Sequence, residues 1–520
     1  MRERRVILGA AAVLAIAGIV ARCWDLFSEP LWLDEAYSAY AASKGLAFLW
    51  HVVPNYETHP PFYYTLLWAW TRPFGDSLIA LRSLGLIAGL LTPPAVTWAA
   101  LACARWLDWP VARRRRLALA AFGLACLSIP LVAMTREVRP YPLMILLYAV
   151  AVRALVALAE RSRWKAPLIG RAYAAYLIVA EALLWLHNLG PLWAMALGLA
   201  LLAAVVRRDL RLSDWGWLIG GHLLLLVGYA PAFLIVLDQA PTWVKSTWLT
   251  FSWAHLHEYL LVLYAVPGWQ AIAAALLAIM GGLALWRVPR GRRLLAVLLI
   301  LALVPVILSV GISATIAPVF ITRTMTPVAV PTLILLAIGA SAWRRPRAWI
   351  AIGAALMLTA NMAAVDAQAR ADGPMQDWYG TVDWLKKRFQ PGDQIYAYPN
   401  EGALPLRYAL RDRHLAWPVR PIPTDMPAPD VGGWHPTGSR GVITLPRARL
   451  HAIAQEPATR AVPTIWLLRL GAETYDPGDM FLEELGRDRH EVRRWRDGAI
   501  DIIGLAQGPG PIPALNASQN

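Results

Sequence analysis

Leu31-Trp32-Leu33-Asp34-Glu35-Ala36-Tyr37 follows directly on the first long apolar run, and Glu57-Thr58-His59-Pro60-Pro61-Phe62-Tyr63-Tyr64 follows it in turn. Together they place an adjacent acid pair and a His-Pro-Pro step in one hydrophilic loop, residues 23–76. The flanks of that loop decide the fold. In a chain otherwise built of apolar runs, it is the place with room for chemistry.

Working outward, 58% of the 520 residues are hydrophobic and only 16% are charged, with a mean hydropathy of +0.46. Crossing a bilayer takes roughly 20 apolar residues per helix. Such runs recur near 6–22, 77–101, 117–133, 141–159, 173–187, 190–206, 215–236, 268–286, 294–314, 325–343 and 347–364. A buried soluble helix explains one such run but not the repetition. The expected class is a polytopic α-helical membrane protein with about 11 spans.

The arginines predict its orientation, because Lys and Arg are retained on the cytoplasmic side. The clusters Arg2 to Arg5, Arg113 to Arg116, Arg161 to Lys165, Arg207-Arg208, Arg290 to Arg293 and Arg344 to Arg347 all fall inside if the spans alternate. The N-terminus is then cytoplasmic, while loop 23–76 and everything after about 365 lie outside. The first span reads as a retained anchor rather than a signal peptide, since no small-residue cleavage site precedes Cys23-Trp24. The net charge of +15 is thereby mostly topological. It calls for anionic lipid and no nucleic-acid partner. Cys23, Cys103 and Cys126 have no paired spacing and form neither a disulfide framework nor a CxxC site.

Two domains are expected, a membrane domain over 1–365 and a small soluble α/β domain over 366–520 with a flexible tail. Charges and prolines rise at Asp366-Ala-Gln-Ala-Arg370. Trp378 to Phe389 predicts an amphipathic helix, Gln394 to Tyr398 a strand, and Val442 to Leu445, Thr464 to Leu468 and Ala499 to Leu505 further strands.

Charges in the outward loops are not explained by topology and so carry the functional signal. Asp34 and Glu35 suit proton acceptance from a hydroxyl or binding of a cation, although a helix cap explains the same pair. Glu57 and His59 precede two prolines that fix the backbone, and the Tyr63 and Tyr64 run suits an interfacial helix. Arg136, Glu137, Arg139 and Tyr141 put two arginines on the wrong side for topology. A phosphate would account for them, as would snorkelling side chains. His187 ends a span, Arg323 opens one, and Lys245 lies between spans. His255 and His257 are spaced i, i+2, which on a helix does not share a face. With Glu57 and His59 they remain candidates for a divalent metal.

The motifs Trp32-Leu-Asp34-Glu35-Ala-Tyr37, Thr58-His59-Pro60-Pro61-Phe-Tyr63-Tyr64, Arg136-Glu-Val-Arg139-Pro-Tyr141 and Pro318-Val-Phe320-Ile-Thr-Arg323, in that order, resemble the GT-C class of integral-membrane glycosyltransferases. Within it they resemble the family of protein O-mannosyltransferases, lipid A aminoarabinose transferases and Rgt-type transferases. The resemblance covers the N-terminus to about residue 365. It implies a GT-C fold in a bacterial inner membrane and transfer of a sugar from a polyprenyl-phosphate-sugar lipid, with no nucleotide sugar. The acceptor would be a glycan, lipid or protein on the periplasmic or external side. It places the catalytic base on Asp34 with Glu35 beside it, and phosphate contacts on Arg139 and Arg323. The family's Arg-Tyr before the tenth span is Arg323-Thr324 here. No cofactor is required by such a reaction. The competing classes are a lipid or glycan transporter, which would show broken helices and repeated halves, and an inactive transferase-like scaffold.

Overall fold

The computed structural model describes all residues except 1, 25, 207–209, 247–248, 254–255, 258–268, 344–345, 372–375, 429–444 and 509–520. The side chains of 2, 242–243, 245–246, 363–371, 474 and 477 are likewise outside the description. The chain divides into two compact units. One comprises Met1–Leu26, Ile79–Val236 and Leu249–Ala371, and the other Phe27–Leu78, Leu237–Trp248 and Asp372–Asn520.

The first unit is built of apolar helices: α1 (Arg2–Cys23), α5 (Leu78–Trp106), α6 (Val111–Leu127), α7 (Ile129–Thr135), α8 (Tyr141–Arg163), α9 (Arg171–Leu186), α10 (Gly190–Val205), α11 (Leu212–Ser246, with its residues from Leu237 on grouped in the second unit), α12 (Trp269–Trp286), α13 (Pro289–Thr315), α14 (Ala329–Ser341) and α15 (Arg347–Ala371). Among the described residues, six are long and apolar enough to cross a membrane, or seven if the bent pair α6 and α7 counts as one. The expected count of 11 is therefore not met on length. The shortfall lies in helices such as α9 and α10, of 16 residues each. At 1.5 Å per residue each reaches only about 24 Å, short of a hydrocarbon core of roughly 30 Å.

Close packing in this unit is set by small residues. At the crossing of α12 and α14, a Cβ on Gly281 would stand 2.3 Å from the Leu335 carbonyl, and one on Gly339 only 2.0 Å from that of Leu277. Two helix backbones meet there, a contact that only glycine permits. The 52° bend between α6 and α7 has a chemical cause. Pro130 has no N–H for the Cys126 carbonyl and opens a new helix after Ser128. The carbonyls left over are taken by the buried Arg22, whose Nη1 donates to Cys126 O at 2.7 Å and Nη2 to Ala125 O at 3.0 Å.

The second unit joins α2 (Leu33–Ser43), α3 (Leu46–His51) and α4 (Phe62–Phe74) to a five-stranded sheet. Its strands are β1 (Gln394–Tyr398), β2 (Val419–Pro421), β3 (Thr464–Leu470), β4 (Arg489–Asp497) and β5 (Ile500–Gln507), in the order β2-β1-β3-β5-β4. β1 is parallel to β2 and β3, whereas β5 is antiparallel to β3 and β4. α16 (Trp378–Lys386) and α17 (Ala403–Asp412) cover one face through Trp378, Val382, Leu406 and Leu410. Leu450, Ile453, Phe481 and Leu485 cover the other. The expected strand at Val442 to Leu445 falls almost wholly outside the described residues.

Candidate functional site

The acid pair heads α2. Asp34 is half-buried and Glu35 is 1% exposed. A helix start leaves its first N–H groups without intrahelical acceptors. Glu35 Oε2 turns back to accept the Trp32 N–H at 3.3 Å, so part of its charge serves the helix end. Asp34 occupies the first turn, where the positive end of the helix dipole favours a carboxylate.

Glu57 and His59 form one pair. Glu57 Oε1 accepts from His59 Nδ1 at 2.8 Å and from the His59 backbone N–H at 3.2 Å, and Glu57 is 5% exposed. That bond places the proton of a neutral His59 on Nδ1 and leaves the Nε2 lone pair as acceptor or ligand. Tyr64 meets Tyr37 edge to face at 5.7 Å, and Tyr63 meets Tyr64 at 6.0 Å. The Tyr37 hydroxyl donates to that of Tyr56 at 3.0 Å. Both Tyr63 and Tyr64 are buried, and they lock α4 to the helix of the acid pair.

Two buried arginines of the first unit sit on the turn after α7. Arg136 and Arg139 are 7% and 4% exposed. Arg136 Nη2 donates to the Ala21 carbonyl at 2.7 Å, at the end of α1. The Arg139 guanidinium lies 5.9 Å from the Tyr141 ring, and Tyr141 lies 5.9 Å from the His187 ring. His187 Nδ1 accepts the Leu189 N–H at 3.1 Å, which puts its proton on Nε2. Glu137 is half-buried on the same turn. Arg323 lies in the short helix Thr322–Val328, which packs on α7 and α8. Arg136, Glu137, Arg139, Tyr141, His187 and the segment of Arg323 thus form one neighbourhood. Asp34, Glu35, Glu57, His59, Tyr63 and Tyr64 form another, in the second unit.

The Lys245 side chain and all of His255 lie outside the described residues, and His257 is exposed. Among the described residues no group of three or more His, Cys, Asp or Glu is arranged to hold a metal ion. Glu57 and His59 supply two donors of a type that a divalent ion accepts, and among the described residues no third joins them.

Sequence reasoning missed Arg22 and Arg82. Arg82 is 4% exposed and its Nη1 donates to Leu26 O at 2.5 Å. The usable signal was an arginine inside a predicted span, where a cation needs a local acceptor. It also missed Gly89, where a Cβ would stand 2.2 Å from Thr135 Oγ1. That close approach lets α5 lie against the base of the arginine turn.

No protein-family profile matches the sequence, and no curated protein does. Solved structures do. ArnT from Cupriavidus metallidurans in the apo state aligns over 97% of this chain and 98% of its own, with 14% identity and a TM-score of 0.61. The same protein bound to undecaprenyl phosphate aligns over 99% of both chains, with 15% identity and a TM-score of 0.57. The Archaeoglobus fulgidus oligosaccharyltransferase, tethered with an acceptor peptide, aligns over 98% of this chain and 74% of its own, with 14% identity and a TM-score of 0.53. At these identities the likeness establishes the fold. The chain has the GT-C fold that its ordered motifs predict.

Proposed function

We propose that this protein transfers a monosaccharide from a polyprenyl-phosphate-linked donor to an acceptor hydroxyl. The observation that carries the reading is the sorting of charge. A carboxylate pair heads one helix of the second unit, and buried arginines gather on one turn of the first. Glycosyl transfer needs both kinds of group. Breaking the sugar–phosphate bond develops oxocarbenium character at the anomeric carbon and negative charge on the departing phosphate. Carboxylates answer the first and guanidiniums the second.

In the step proposed, the acceptor oxygen attacks the anomeric carbon as its proton passes to Asp34. The carbon–oxygen bond to phosphate breaks on the opposite face, inverting the centre, and polyprenyl phosphate leaves as an anion. Arg136, Arg139 and Arg323, with Lys245, hold that phosphate, Glu137 orients an arginine, and Glu35 fixes the helix that presents Asp34. The complex of ArnT with undecaprenyl phosphate supports a lipid phosphate as leaving group. A narrow apolar cleft in the first unit, lined by Leu124, Ala274, Leu333, Leu336 and Leu358, offers an apolar surface against which a prenyl tail could lie. The reaction needs no metal, and the Glu57–His59 pair would be where one binds. We assign the protein to a bacterial inner membrane, with the acceptor, a glycolipid such as lipopolysaccharide or a protein, approaching from the periplasmic side.

The test is transfer of radiolabelled sugar from polyprenyl-phosphate donors to membrane acceptors by the unaltered chain and by Asp34→Asn. Transfer by the first, reduced about 10²- to 10⁴-fold in the second, supports the reading. Absence of transfer by folded protein, with donor flipping observed, would support a transporter.

A further inference from the structure

The second unit holds the helix of the acid pair at an unusual place. In open α/β sheets the strand order reverses at a switch point, and ligands settle in the crevice at the carboxyl ends of the strands there. Here the reversal falls between β1 and β3, with β2 on the far side of β1. At the carboxyl ends of β1 and β2 lie the turn Asn400–Gly402 and the segment running to Met426. Asn400 Nδ2 donates to the Thr424 carbonyl at 2.9 Å and ties the two ends together. α2 packs on that turn and on α17. The acid-bearing helix is thus seated at the carboxyl ends of β1 and β2.

Two anchors fix α2 there, about two turns apart along its axis. At its start, Gln376 Oε1 accepts the Leu33 N–H at 3.1 Å and also the Trp378 indole N–H at 3.0 Å. Trp378 is fully buried at the base of α16, so the amide is held by the domain core. Toward its end, the Tyr40 hydroxyl donates to the Met426 carbonyl at 2.6 Å. Leu33 also packs against the core layer under α16 and α17. Together with the packing of α2 on α4 and α17, these two hydrogen bonds set its tilt and its rotation. Asp34 is the residue next to the first.

We propose that Gln376 is a positioning residue for Asp34, setting from the C-terminal domain the direction in which the carboxylate leaves the start of α2. This rests on the transfer reading above for its kinetic consequence, but not for its structural one. Removing the acceptor leaves the Leu33 N–H and the Trp378 indole to find other partners, and the first turn of α2 shifts. A displacement of about 1 Å at a reacting group costs on the order of 100-fold in rate.

The test compares Gln376→Leu, which keeps volume and loses the acceptor, with Gln376→Glu, which keeps an acceptor oxygen, in the full-length chain in lipid nanodiscs. Gln376→Asn, one methylene shorter, serves if the leucine variant does not fold. The first readout is hydrogen exchange of the peptide spanning 31–43, which is independent of activity. Faster exchange at its start in the leucine variant, restored in the glutamate variant, is expected. The second is kinetic, with kcat lowered about 10- to 100-fold, donor KM within about twofold, and most of the rate recovered by glutamate. Unchanged exchange and unchanged kcat in Gln376→Leu would overturn the proposal. If the unaltered chain transfers no sugar from any donor, the functional reading fails alone and the exchange result still decides the anchor.

Discussion

Arg136 and Arg139 look alike in sequence, and their surroundings separate them. Arg136 spends one Nη on the Ala21 carbonyl, closing the end of α1, whereas Arg139 faces the rings of the Tyr141 and His187 neighbourhood. Arg139→Lys should raise donor KM about tenfold, because an ammonium cannot grip phosphate through two parallel hydrogen bonds. Arg136→Lys should lower the thermal midpoint as well, and an unchanged midpoint would show that the cap carries no weight. In the sheet the same residue type serves stability. Arg469 is 1% exposed and donates to Asp501 at 2.7 Å, with Asp476 and Asp479 around it. Burial would raise the Asp501 carboxyl, but hydrogen bonds from Arg494 and Arg469 hold it below its ordinary value. Its stabilisation is thus complete above the ordinary carboxylate pKa and fades as pH falls through the lowered one. Asp501→Asn should lower the thermal midpoint at pH 7 and flatten its decline between pH 6 and 3. Asp34 and the Arg136–Arg139 turn were legible from residue type alone, because charge placed against topology demands a reason. Gln376 was not, since nothing in the order of residues links it to Leu33 across more than three hundred positions.

At the scale of elements, hydropathy finds apolar runs but not what interrupts them. The run at 117–133 reads as one span, yet it breaks at Ser128 because Pro130 cannot donate to Cys126 O. The helix can bend there only because Arg22 takes the two carbonyls released. Arg22→Leu should cost about 1–3 kcal/mol, the penalty of buried acceptors left unsatisfied. Adding Pro130→Ala should return part of it by letting the helix close its own bonds, and additive losses in a double-mutant cycle would refute the account. The bend matters because α7 carries the arginine turn, and α5 presses on the same turn through Gly89. Gly89→Val should push Thr135 and raise donor KM, with partial recovery in Gly89→Val/Thr135→Gly. In the sheet, β1 matches its predicted boundaries at Gln394–Tyr398 because its side chains are buried on both faces. β4 was invisible for the opposite reason. Arg489–Asp497 is mostly charged edge strand, without the alternation that marks a half-buried one.

At the scale of the whole molecule, the contact pattern assigns Phe27–Leu78 to the same compact unit as residues from Asp372 onward. A linear reading assigns that loop to the helices on either side of it, since hydropathy weighs neighbours in sequence and not partners in space. Grouping by contact ties the acid pair to the sheet, because the helix of Asp34 is seated on α17 and on the turn Asn400–Gly402 after β1. The positive-inside pattern then carries a consequence for the whole layer. If the basic clusters lie in the cytoplasm, the residues from 372 onward and the acid pair must share the opposite side. In a background carrying Cys23→Ser, with Cys103 and Cys126 buried, a cysteine at exposed Lys386 should react in intact spheroplasts with a membrane-impermeant maleimide. One at exposed Arg115 should react only after lysis. The reverse pattern would put Asp34 in the cytoplasm, where nucleotide sugars are abundant, and would remove the reason for a polyprenyl-phosphate donor. Labelling at both positions before lysis would mean that the spheroplasts leak. A third cysteine at the cytoplasm-assigned Arg161, in the last turn of α8, separates those cases, since it should behave as Arg115 does.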